Sequence, residues 1–121
     1  MMMLSLAIAL ASASADEGPL PRAARPINGG QGWVVTTDYP PDALREGRGG
    51  VTTVRLNVST RGVVDQCAIA RSSGHRDLDD RACLAIAMRG RYDPARNADG
   101  RRIASIVLHQ IVWDPRTVTG R

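Results

Sequence analysis

The most regular pattern in the chain is an alternation with a period of two from Val51 to Ser59. Val54, Leu56 and Val58 fall on one side, and Thr53, Arg55 and Asn57 on the other. That period predicts a half-buried strand. Thr60-Arg61-Gly62 supplies a turn, and Val63 to Ser72 returns with Cys67 and Ile69 on one face, so a hairpin is expected. Ser72-Ser73-Gly74-His75 interrupts the extended pattern. After it, Leu78, Ala82, Ala85, Ile86 and Arg89 recur at helical spacing, with Cys83 beside the stripe. Asp77 is the expected cap of that helix, with Asp79 and Asp80 in a first turn that favours negative charge. Asn97-Ala98-Asp99-Gly100 reads as a turn. Ile103 to Trp113, broken only by Ser105, His109 and Gln110, is expected to be the final strand.

Upstream, Asp38 to Arg45 has the form of a helix start, with Asp38 or Pro41 marking the first turn. Gly47, Gly49 and Gly50 stop it. Trp33-Val34-Val35 is where ordered structure is expected to begin. The element order is helix, strand, strand, helix, strand. It predicts an α+β fold, a small three-stranded antiparallel sheet with two helices, in a single domain over residues 33–115 with a tail at 116–121. No internal repeat is visible.

The amino terminus changes the picture. Met1 to Ala15 are uncharged, apolar and small, and end in Ala13-Ser14-Ala15 before Asp16-Glu17. This is the pattern of a secretory signal peptide. A 15-residue helix reaches roughly 22 Å, short of the ~30 Å hydrocarbon core, so a short anchor remnant is the alternative reading. Residues 16–32, with three prolines, four glycines and little apolar content, read as a flexible leader.

Export bears on the cysteines. The chain has two, Cys67 and Cys83. In an oxidising compartment two thiols pair, and a helix packed across the hairpin would bring these within reach; two buried, reduced cysteines are the other reading. The spacing is neither that of a CxxC redox motif nor of a zinc site.

Composition narrows the function classes. The formal charge is +4, there is no Phe, and every basic residue is Arg. The arginines are scattered along the sequence with no aromatic stacking motif among them, which argues against nucleic acid as a partner. Ser72, Ser73 and His75 lie together but lack the nucleophile-elbow pattern and a third group. Asp77, Asp79 and Asp80 do not meet the calcium-loop spacing. His109 reads as a strand histidine and not as a ligand. No enzyme, metal or cofactor is expected. What remains is the final strand, which at a sheet edge would offer unpaired amides and carbonyls to an added strand, or would simply close the core.

Read in register, Tyr39-Pro40, Ala43, Gly50-Val51, Val54, Leu56, Val58, Gly62-Val63-Val64, Cys67, Ser72-Ser73-Gly74, Leu78-Asp79, Ala82-Cys83, Arg91-Tyr92-Asp93-Pro94-Ala95, Gly100 and Val112-Trp113 resemble the C-terminal domain of TonB, the energy transducer. The likeness covers about Trp33 to Trp113. It implies a periplasmic domain that binds the TonB box of an outer-membrane transporter's plug by strand addition. The contact residues it implies are Ile103, Ser105, Ile106, Val107, Leu108, His109, Gln110, Ile111, Val112 and Trp113, with Tyr39 and Pro40 before the first helix. It also resembles a subgroup in which Cys67 and Cys83 pair. An ExbB/ExbD-type motor is implied as a further partner if the chain is anchored. Without an anchor or a long Pro-rich spacer, a free periplasmic domain is expected. A stand-alone structural domain or a homodimer is the alternative.

Overall fold

The computed structural model describes residues 18–119. The expected signal peptide at 1–15 lies outside the described residues. The centre of the fold is a three-stranded antiparallel sheet. Its strands are β2 (Gly50–Val58), β3 (Val64–Arg71) and β7 (Ser105–Trp113), in the order β3-β2-β7. The β2–β7 register runs without a slip from Gly50 opposite Trp113 to Val58 opposite Ser105. The β2–β3 register shifts between Thr53 and Val54 and between Asn57 and Val58. Two two-stranded ribbons flank the sheet: β1 (Arg25–Pro26) with β4 (Tyr92–Asp93), and β5 (Ala95–Arg96) with β6 (Arg102–Ile103).

The alternation of β2 produces this arrangement. Thr52, Val54, Leu56 and Val58 are buried, while the odd positions face out. The buried row is covered by α2 (Arg76–Arg89), which turns Leu78, Ala82, Ala85 and Ile86 onto it. Burying Leu78 and Ile86 completely contributes roughly 1.5–3 kcal/mol each. The shorter α1 (Pro41–Arg45) adds Ala43 to the core. The hairpin closes through Gly62, which has φ +79°, and a Cβ there would stand 1.9 Å from the Tyr92 carbonyl oxygen. Gly62 thus takes a left-handed turn and admits the Tyr92 backbone, whose amide donates to its carbonyl at 2.9 Å.

Cys67 and Cys83 form a disulfide joining β3 to α2, with Cα atoms 5.6 Å apart. Of the two readings of the cysteines, the structure carries the paired one.

Four expectations need correction. The leader is not structureless over residues 22–30. Arg22 pairs with Arg96, β1 pairs with β4, and Ile27–Gly30 makes a 3-10 turn. Asp77 is not the cap of α2, because His75 holds that position and Asp77 lies inside, paired with Arg48. The final strand begins at Ser105, since Ile103 belongs to β6 and Ala104 separates the two. The tail after 115 includes a short helix, α3 (Pro115–Thr119).

Candidate partner-binding edge

β7 pairs with β2 along one side only. Among the described residues no backbone group bonds to its other side. The faces of the strand differ. Ile111 and Trp113 are buried and Ser105, Val107 and His109 half-buried on the α2 side, while Ile106, Leu108 and Val112 are 54%, 65% and 71% exposed on the outer side. Val51, opposite Val112, extends that outer apolar stripe. A free backbone edge beside exposed β-branched and leucine side chains is what an added strand needs.

The carboxy-terminal half of β7 is held rigidly. The Trp113 indole Nε1 donates to Thr52 Oγ1 at 3.1 Å, and Thr52 donates on to Asp79 Oδ1 at 2.9 Å. Asp79 also accepts from the Ser73 amide at 2.9 Å and from the Ser72 hydroxyl. Burial pushes its carboxyl up, but the Ser72, Ser73 and Thr52 donors outweigh this and hold it below the usual carboxylate range. The network ties the start of α2 through β2 to the end of β7, and its Asp79–Thr52–Trp113 stretch is buried. Thr52→Val leaves the Trp113 N–H without a partner. It should cost about 1–2 kcal/mol, read as a lower urea midpoint with an unchanged slope.

The loop ahead of α1 forms a wall beside the same half-strand. Trp33 lies with its ring 5.0 Å from His109 and 5.3 Å from Tyr92. Gly30 lies so close that a Cβ would stand 2.8 Å from His109 Cε1. Burial lowers the pKa of His109. Between loop and strand is a cleft of about 280 Å³ bordered by Gly30, Trp33, Val35, His109 and Val118, room for one or two side chains. Asp38 locks this wall to α2. It accepts from the Val35 amide at 2.7 Å and from Arg89 at 2.7 and 3.3 Å, with Arg81 at 3.4 Å, and Arg89 also donates to the Trp33 carbonyl at 2.7 Å.

Of the residues singled out in the sequence, Ser105 to Trp113 all lie on this edge strand, and Ile103 lies just ahead of it. Tyr39 is buried instead of offered to a partner. Its ring meets Trp113 edge-on at 5.3 Å and its hydroxyl donates to the Arg48 carbonyl. Pro40, half-buried, follows it. Ser73 closes a turn on the His75 backbone, and its hydroxyl is not bonded to the His75 ring. Sequence reasoning missed Thr52 and Asp38. A threonine at an inward position of a strand, where its neighbours are Val and Leu, was the one available signal for Thr52.

A family model described as Gram-negative bacterial TonB protein C-terminal matches residues 36–115. The chain belongs to the TonB C-terminal family. The solution NMR structure of the Pseudomonas aeruginosa TonB C-terminal domain is similar in fold, with a TM-score of 0.56 at 20% identity over 80% of this chain and 92% of that one. No curated protein matches the chain. The TonB-like domain here starts its family match at the wall residue Thr36 and ends it at Pro115, so the whole edge strand falls inside it.

Proposed function

We propose that this TonB-like domain binds an extended segment of an outer-membrane transporter by strand addition to β7, in the periplasm, in support of energised uptake. The observation that carries the reading is the unpaired outer edge of β7, beside a strand whose inner edge is paired over its full length. Main-chain hydrogen bonds supply the affinity. Alternating side chains of the guest meet the Ile106–Leu108–Val112 stripe on one face and the Trp33–His109 cleft on the other. The rigid wall and the braced Trp113 end mean that little ordering is needed on binding. Titration of labelled domain with TonB-box peptides should shift the β7 amides first. Unmoved β7 resonances at saturating peptide would overturn the reading.

The exposed apolar stripe also fits a second copy laid edge to edge. Sedimentation at several concentrations separates the two cases, since self-pairing gives a mass that rises with concentration and strand addition alone does not.

A further inference from the structure

The arginines that look scattered in the sequence are sorted in space. At the end of the sheet where β7 begins stand Arg61, Arg91, Arg96, Arg101 and Arg102. Among the described residues none of the five has an acidic partner. The Val63–Arg91 bridge and the bond from the Tyr92 amide to Gly62 place the β2–β3 turn and the start of β4 at this end. The β5–β6 ribbon leads straight into β7. Arg91 and Arg96 donate only to carbonyls, those of Gly90 and Gly100 at 2.7 Å each, which leaves their charge uncompensated. Arg22, at the same end, shares Asp93 with Arg25 and has two buried guanidinium nitrogens without a partner. At the opposite end of β7 the charges are matched. Arg116 holds Asp114 at 2.9 Å and Arg48 holds Asp77 and Glu46 at 2.8 Å.

Asp65, beside Ser105 and Ile106, and Asp99, in the turn before Arg101, offset part of this charge, but five arginines outnumber two carboxylates, so the free edge lies in a field that is net positive at Ser105 and compensated at Trp113. Resting on the strand-addition reading, we propose that the docked segment carries acidic side chains at the end that passes beyond Ser105, and that Arg101 and Arg102 receive them. Only Ala104 and Ile103 separate Arg102 from the first residue of β7, and both arginines are exposed. A chain continuing along the edge past Ser105 passes these guanidinium groups before it reaches open solvent. The charge gradient then selects the direction of the guest strand, because the reversed strand would place its acids beside Asp114.

The test uses three synthetic octapeptides of alternating valine and threonine: one neutral, one with a Glu-Glu pair at its amino end, one with the pair at its carboxy end. Shifts of the β7 amides report docking itself. One acidic peptide, and not the other, should bind about 3–10-fold more tightly than the neutral peptide at low salt. The gain should fade at high ionic strength. Arg101→Gln/Arg102→Gln should abolish it while leaving the neutral peptide's affinity unchanged. Both arginines are exposed surface residues, so this variant keeps the fold. Docking with no gain from an acidic pair at either end, or a gain that survives the double substitution, overturns the inference and leaves strand addition standing. If no peptide moves the β7 amides, both fall together.

Discussion

Removing the Cys67–Cys83 bond should lower the stability of the domain by about 3 kcal/mol, the chain-entropy value for a closed loop of roughly 15 residues; the sequence separation is 16. For a domain near 100 residues that corresponds to a fall in Tm of about 12–24 °C. The loop it closes is not a passive one. It contains the Ser72–His75 turn and the first turn of α2, whose Asp79 anchors the buried network that ends at Trp113. Loosening the loop in the folded state therefore also loosens the brace on β7. The double variant Cys67→Ser/Cys83→Ser, followed by thermal unfolding with and without reductant, checks this. The wild type with reductant should match the variant without it. A variant that melts within about 3 °C of the oxidised wild type would show that packing of α2 on the sheet, and not the covalent link, fixes this corner.

How much of this was legible in the sequence follows from which interactions are local. The alternation of Val54, Leu56 and Val58 and the helical spacing of Leu78, Ala82, Ala85 and Ile86 name the buried rows directly, because the period of each element decides which side chains can face a core. The edge position of β7 was legible only as one of two readings. A period of two says that a strand has two faces, and it does not say how many neighbours the strand has. The split at Ala104 was hidden because Ile103 is as apolar as the residues after it. Its pairing with Ala95 is decided by the tight Asn97–Gly100 turn, which pulls the chain into its own ribbon. The folded part of the leader was hidden for the opposite reason. Prolines and glycines report backbone freedom in the isolated chain, but Arg25–Pro26 gains order from a partner strand nearly 70 residues away. The same distance effect concealed the polar network. Asp38, Thr52 and Asp79 each look like ordinary turn, strand and helix-start residues until Arg89, Trp113 and Ser72 arrive beside them.

The gathering of unpaired arginines shows the limit from another side. Linear spacing separates Arg61 from Arg102 by 41 positions, yet the hairpin turn, β4 and the β5–β6 ribbon converge on one end of the sheet. Net charge read from composition is a property of the whole chain. What a docking strand meets is the local imbalance, and that depends on which arginines find carboxylates when the chain folds.

Arg89→Met should cost about 2–3 kcal/mol at pH 7. Breaking one side of a buried ion pair costs ~3–5 kcal/mol, and the discount reflects Arg89 being 34% exposed and Arg81 remaining near Asp38. Asp38 is 1% exposed, so in the variant its charge stays buried with only the Val35 amide and Arg81 to hold it. The pH dependence separates this from lost packing. In the wild type, burial pushes the Asp38 carboxyl up, but Arg89, the Val35 amide and Arg81 together bring it below its ordinary value of 3.8. A carboxyl depressed on folding contributes stability that is in place above 3.8 and is lost as pH falls through the folded value. Without Arg89 the burial effect is opposed less, and the carboxyl protonates at a higher pH than in the wild type. The variant's deficit should therefore shrink when unfolding is measured at about pH 3.5 instead of pH 7, while a deficit from methylene packing would be the same at both. The pair also fixes the loop that walls the cleft, through the Arg89 bond to the Trp33 carbonyl. At pH 7 the variant should bind a TonB-box peptide more weakly than its folded fraction accounts for. Binding that simply follows the folded fraction would mean that the Trp33 wall is not part of the docking surface.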